Sequence, residues 1–314
     1  MIIDKIYSFL PKNIIHKNYL KKYIGNDFVR IQNYTGFKKL RILKKNSDNK
    51  KFIFNCINSF FKKSKINPKN IDGVIFCSHS IDRGMPIFSA DIQNRFNLRN
   101  DILCYDLPGS CSGFTNGLIH SYSFLKSKIA KNILLICADT HSKNLKSKNL
   151  KPVISDGVSC IFLKNSENKL FFDIGVDGKN NNILNNDNST RSLEMDGIKV
   201  LEFALERVPK TIKNLKRKIG IKKKTIDYYA FHQPNRTIYN FIIKKLMIPT
   251  SKVIECVDFG NTSSPSIPIS LSVFRGGKNI KNENFVFCGF GSGLSWSSVY
   301  ISLKKTYISE VFYI

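Results

Sequence analysis

Residues 106–127 read Asp-Leu-Pro-Gly-Ser-Cys-Ser-Gly-Phe-Thr-Asn-Gly-Leu-Ile-His-Ser-Tyr-Ser-Phe-Leu-Lys-Ser, and the rest of the chain can be worked out from them. Leu103 to Leu107 has the look of a strand ending, and Pro108-Gly109-Ser110 is turn chemistry. Beyond the turn, Phe114, Leu118, Ile119, Tyr122 and Leu125 recur at spacings of three and four, the period of a helix that buries one face. Cys111 therefore stands where a strand hands over to a helix. Unpaired amide N–H groups and the positive end of the helix dipole favour a thiolate there, which predicts a pKa below the usual ~8.5. The same amides can hold the oxyanion formed when sulfur attacks a thioester or ester. On this stretch alone, a buried core cysteine is an equally good reading.

Working outward, 314 residues with 42% hydrophobic and 12% aromatic content predict a globular protein of one large domain or two halves. Met1 to Pro11 carries Asp4 and Lys5 in a short apolar run and lacks the pattern of a signal peptide. No apolar run approaches the roughly 18 residues of a membrane span, so the expectation is a soluble, cytoplasmic protein. The eight cysteines form no CxxC pair and mostly lie in apolar strand-like runs, so they read as reduced core residues. The five histidines have no spacing that suits a metal.

The formal charge is +27, with lysine pairs spread along the whole chain. Lys, Asn and Ile are abundant together, which fits compositional bias as well as selection for a partner. A nucleic-acid binder concentrates its charge in a stripe with stacking aromatics, and no helix-turn-helix, zinc-finger or RNP-type motif is present. The charge then speaks for an acidic protein partner, a phosphorylated substrate, or a merely solvated surface.

An internal repeat follows. Ile71-Asp72-Gly73-Val74-Ile75-Phe76-Cys77-Ser78 is echoed 155 residues later by Ile226-Asp227-Tyr228-Tyr229-Ala230-Phe231-His232-Gln233. Ile133 to Cys137 pairs with Phe285 to Cys288, and Gly157 to Leu163 with Ser297 to Leu303. The turn before the Cys111 helix is matched by Gly260 to Pro265 before Ile267 to Phe274. Together these predict two homologous halves of alternating strands and helices, 1–170 and 171–314, joined through the Asn- and Gly-rich segment Lys164 to Ser192. His232 closes a strand and Asn261 lies in a turn, at places that the repeat sets opposite Cys77 and the Cys111 turn. A cysteine with a distant His and Asn is the pattern of a nucleophile with supporting groups; a histidine satisfied at a strand end is the plainer alternative.

Four stretches in one order resemble the ketoacyl-acyl carrier protein synthase III family of the thiolase superfamily: Asp106 to Leu118, His232 to Arg236 (HQPNR), Gly260 to Leu271 (GNTSSPSIPISL) and Gly289 to Trp296 (GFGSGLSW). Thr35-Gly36-Phe37 with Arg41, Asp156-Gly157 and Met195-Asp196-Gly197 support it, and the resemblance runs from about Ile6 to Leu303. It implies an α/β fold, the thiolase-like five-layered αβαβα sandwich of two duplicated halves, in a homodimer with no permanently bound cofactor. By the same resemblance, Cys111 would accept an acyl group from acyl-coenzyme A or an acyl carrier protein. His232 and Asn261 would stabilise the enolate from decarboxylating malonyl carrier, and Cys111 with Ser292, next to Gly291, would form the oxyanion hole. Phe290 would line the site, and Met85 would reach the acyl pocket of a partner subunit. Lys244 and Lys245, with a displaced arginine at Arg236, would dock an acidic carrier. At the nucleotide-binding positions Phe28 and Lys148 stand where the family commonly has other residues, so donor recognition is expected to be altered and the pathway, housekeeping or specialised, stays open. The alternative chemistry is transfer of the acyl group from Cys111 to an oxygen or nitrogen nucleophile without decarboxylation.

Overall fold

A computed structural model describes residues 1–15, 21, 25–81, 85–143, 145, 147, 150–186, 193–220, 225–255 and 259–314, with the side chains of 26, 28 and 186 excepted. In chain order the first half runs through β1 (Ile2–Leu10), β2 (Ile14–Ile15), α1 (Phe28–Thr35), β3 (Leu40–Arg41), α2 (Asn49–Ser64), β4 (Gly73–Cys77) and α3 (Phe88–Arg95). It continues with β5 (Leu103–Leu107), α4 (Gly113–Lys126), β6 (Asn132–Asp139) and β7 (Gly157–Lys164). Then come β8 (Phe171–Val176), β9 (Leu184–Asn186), β10 (Leu193–Met195), α5 (Gly197–Ile219), β11 (Tyr228–Phe231) and α6 (Arg236–Leu246). The chain ends with α7 (Ser266–Arg275), β12 (Lys278–Ile280), β13 (Glu283–Gly291), β14 (Ser295–Leu303) and β15 (Thr306–Tyr313).

The local reasons are ordinary ones. Asp48 caps α2 by accepting from the amides of Lys50 and Lys51 at 2.8 and 3.2 Å, and Lys62 and Lys63 sit in its last turn, where cations suit the dipole. Asp196 caps α5 in the same way through Ile198 and Lys199, and Gly220 ends it in the left-handed conformation at φ 66°. Strand β6 is buried from Ile133 to Asp139, as a central strand covered on both faces requires.

Two sheets carry the repeat. The first has the order β12-β15-β1-β7-β6-β4-β5 and the second β11-β13-β14-β8. In the first, β1 runs antiparallel to β7, β7 antiparallel to β6, and β6, β4 and β5 are parallel. In the second, β8 runs antiparallel to β14, β14 antiparallel to β13, and β13 and β11 are parallel, with a single parallel bridge from Tyr229 to Val253 where the fifth strand would stand. The strand echoes read from the sequence therefore recur in the same order and sense. Strands β12 and β15, from the C-terminal end of the chain, extend the first sheet past β1.

Helices α2 and α3 cover the outer face of the first sheet, α4 and α7 lie between the sheets, and α5 and α6 cover the outer face of the second. That is the five-layered αβαβα sandwich, with a central core around Phe114, Leu118, Leu135, Ile267 and Phe287 and two outer cores under α2 and α5. The two middle helices touch near their N-termini: a Cβ on Gly113 would lie 2.9 Å from Ser264 Cβ. Both N-termini thus reach the middle of the molecule.

Candidate active site

Cys111 sits in the short 3₁₀ turn Ser110–Ser112 between β5 and α4, where Ser110 is forced to φ 37°. The turn is sewn to the second sheet. Ser112 Oγ lies 2.9 Å from Ser295 Oγ, and Thr115 Oγ1 lies 2.6 Å from Ser297 Oγ. The end of β13 presses on it from the same side, at two positions that only glycine fits. A Cβ on Gly289 would be 2.7 Å from Ser112 Cα, and one on Gly291 would be 2.7 Å from Cys111 Cβ and 3.3 Å from its Sγ. The glycines singled out in the sequence serve close approach of backbone to nucleophile.

Ser263, at φ 60° in the turn before α7, brings its hydroxyl to 3.7 Å from Cys111 Sγ. Asn261 two residues earlier is pinned by its backbone, which donates to Val153 O at 2.7 Å and accepts from Ser155 N at 2.8 Å. Its Oδ1 accepts from the Ser263 amide at 2.8 Å, so the amide group is oriented and the NH₂ end is turned away from that bond. His232, 1% exposed, follows β11 and places Nδ1 2.8 Å from Ser266 Oγ, with Phe290 edge-on at 5.5 Å between ring centres. Cys111, His232, Asn261, Ser263, Phe290, Gly291 and Ser292 all line one cavity of about 710 Å³. Residues more than a hundred positions apart thus line one cavity.

The sequence matches the family description "3-oxoacyl-[acyl-carrier-protein (ACP)] synthase III C terminal" over residues 216–303 and "FAE1/Type III polyketide synthase-like protein" over residues 12–163. A curated relative, a putative 3-oxoacyl-[acyl-carrier-protein] synthase 3 of Campylobacter jejuni, is 29% identical over 282 residues, covering 81% of this chain and 79% of the relative. The beta-ketoacyl-[acyl-carrier-protein] synthase III of Listeria monocytogenes is 27% identical over 305 residues, covering 95% and 97%. Among solved structures, a 3-oxoacyl-(acyl-carrier protein) synthase from Burkholderia xenovorans superposes with TM-score 0.93 at 22% identity, covering 100% of this chain and 97% of that one. These matches support a ketoacyl-acyl carrier protein synthase III-like enzyme of the thiolase superfamily.

The electrostatics of the nucleophile depart from what the helix start implies. The helix start predicts a depressed thiol pKa, yet burial pushes Cys111 up to about 11, with donors at Ser263 and Ser110 pulling it down and the Asp139 charge adding to the rise. A helix terminus is worth about 0.3–1 kcal/mol, less than the cost of stripping water from a thiolate. Cys111 at rest is a thiol. Burial also lowers His232 to about 3, so its imidazole is neutral at any ordinary working pH.

Three residues of the site were missed in the sequence. His79 and His141 line the same cavity, each just beyond the end of a parallel strand, β4 and β6, and the fully buried Asp139 lies behind them. Burial opposes the charge of Asp139, but His141 and donors from Ser264 and the His79 amide outweigh it and hold the carboxyl below its ordinary range. Ser264 bonds it at 3.0 Å through its amide and 2.6 Å through Oγ, and the His79 amide at 2.9 Å. The signal was there: a polar residue directly after an apolar parallel strand points to the ligand-binding edge of the sheet.

Of the outlying synthase III expectations, Lys148 and the side chain of Phe28 lie outside the described residues. Met85 is 93% exposed, away from the cavity wall. Lys244 and Lys245 are exposed in the last turn of α6. Arg236 begins the same helix, about 12 Å away at 1.5 Å per residue. It packs on Gly36 and faces Glu255 at 3.6 Å, so it is not a free rim cation beside the lysines.

Proposed function

We propose that the protein is a condensing enzyme that loads an acyl group onto Cys111 and joins it to a malonyl unit with loss of carbon dioxide. The observation that carries this is the meeting of one thiol, one neutral imidazole and one oriented amide around a single cavity. Cys111 sulfur attacks the thioester carbonyl of an acyl-coenzyme A or acyl carrier, and its proton leaves with the departing thiol. Backbone N–H groups of Cys111 and Ser292 hold the oxyanion, a role supported by the glycine contact between β13 and the cysteine turn.

In the second half-reaction the malonyl carboxylate leaves as carbon dioxide and its electron pair passes into an enolate. With Ser266 donating to Nδ1, the other nitrogen of His232 carries hydrogen and donates to the enolate oxygen, as does the Asn261 amide. The enolate carbon attacks the acyl-cysteine, and the Cys111 thiolate departs and regains a proton. The exposed Lys244 and Lys245 would receive an acidic carrier protein. Met85, with Ile87 and Tyr105, offers exposed apolar surface for a second copy of the chain. The halves 1–170 and 171–314 are then the nucleophile-bearing and the His- and Asn-bearing units of one site.

Replacing His232 or Asn261 with Ala should leave acylation of Cys111, followed by intact mass, largely intact while malonyl decarboxylation falls about 10²-fold or more. A wild-type protein that releases no carbon dioxide from any malonyl thioester, yet acylates small alcohols or amines, would show transfer to oxygen or nitrogen instead.

A further inference from the structure

Strands β6, β4 and β5 end side by side, and the residues just past their ends, His141, His79 and Cys111, all face the one cavity. The reaction above employs only the third. The cavity has an exposed rim at Arg30, Tyr34, Met195 and Ile198, whereas Ser110, the neighbour of Cys111 in the chain, and His141 are largely enclosed. A thioester arm entering past that rim leaves its acyl group to occupy the inner wall. There an alkyl chain would find Leu150 and Ile154 congenial and the two imidazoles not.

His141 Nε2 stands 3.5 Å from the buried Asp139 carboxylate, which favours the ring proton on that nitrogen. Burial works against a second proton on His141, and in the neutral ring with hydrogen on Nε2 the Nδ1 atom is an acceptor. Among the described residues no protein group bonds Nδ1 of His141 or the ring of His79. An acceptor buried against hydrocarbon loses its partner, whereas a hydroxyl on the substrate supplies one.

We propose that His79 and His141, backed by Asp139, form a polar subsite that selects a short acyl chain bearing a hydroxyl group over the plain alkyl chain of the same length. This rests on Cys111 being the acylated residue, and it names the substrate class of that site.

Matched butyryl and 3-hydroxybutyryl thioesters of coenzyme A and of carrier protein test it, with Cys111 acylation read by intact mass. The wild type should take the hydroxylated member with kcat/KM at least about tenfold higher. His141→Leu and His79→Leu should erase that preference because the hydroxylated substrate loses about tenfold or more beyond any loss of the butyryl one, and His141→Asn, whose amide can still pair, should retain part of it. Should His141→Leu fail to fold, the wild-type preference and His79→Leu decide. Butyryl taken equally well or better by the wild type overturns the subsite and leaves the condensing reading standing, and so does an equal loss of both substrates in both leucine variants. No acylation of Cys111 by any thioester overturns the condensing reading and the subsite with it.

Discussion

Alanine at Gly291 would place a methyl group 2.7 Å from Cys111 Cβ, about 0.7 Å inside the 3.4 Å at which ordinary contact begins. Neither neighbour can swing aside. Cys111 Cβ is fixed to a backbone turn that Ser112 ties to Ser295, and Gly291 pairs with the same Ser295 across the β13–β14 ladder. The strain must be shared by shifting the turn or the strand, and overpacking of this kind costs about 1–3 kcal/mol. At roughly 2–4 °C per kcal/mol for a chain of this size, G291A should melt about 2–12 °C lower. A nucleophile displaced by a large part of an ångström loses about 10- to 100-fold in rate, since about 1 Å of misplacement costs on the order of 10². Thermal melts and the time course of Cys111 acylation at saturating thioester, read by intact mass, measure both. G178A, where nothing lies within 4 Å of the added methyl, is the control and should match the wild type. Wild-type melting and wild-type acylation in G291A would refute the view that β13 presses on the nucleophile.

Alkylation of Cys111 by iodoacetamide should be slow at pH 7 and climb about tenfold per pH unit towards a pKa of about 11, and a plateau by pH 8 would restore the depressed thiol that the helix start implies. It should still outpace Cys56, Cys77, Cys137, Cys160 and Cys288, which are wholly buried and do not line the cavity around Cys111. His232 ionises near 3 when folded and near 6.5 when unfolded, so the stability it contributes is present above about pH 6.5 and lost as pH falls towards 3, on the order of 5 kcal/mol in all. Asp156 works the other way: burial raises its folded pKa to about 6, so its contribution is full below about pH 3.8 and lost as pH rises through 6. Urea unfolding of the wild type and His232→Asn at pH 7 and pH 4.5 isolates the histidine. The variant should lose about 2–3 kcal/mol less than the wild type over that interval, and an equal loss in both would mean that His232 is not buried as a neutral ring.

Much of the fold was legible because a strand-turn-helix is a local object. The apolar spacing from Phe114 to Leu125 and the turn chemistry of Pro108-Gly109-Ser110 depend only on neighbours in the chain, and the echo of Val74 to Cys77 in Tyr228 to Phe231 shows a duplicated unit before any contact is known. Cys111, His232 and Asn261 could be picked out for the same reason, as polar residues standing where local pattern asks for core. Local pattern was silent, or wrong, where burial and approach across the molecule decide. The helix start speaks for a thiolate, but the walls that β13 and α7 bring against Cys111 bury it enough to push its pKa up to about 11. His79 and His141 read as histidines with no meaningful spacing, and only the side-by-side ending of β6, β4 and β5 turns them into one wall with the Asp139 carboxylate behind it. Periodicity and turn chemistry act over a few residues and are written along the chain; desolvation and the meeting of side chains across two sheets belong to the folded arrangement, which no single stretch contains.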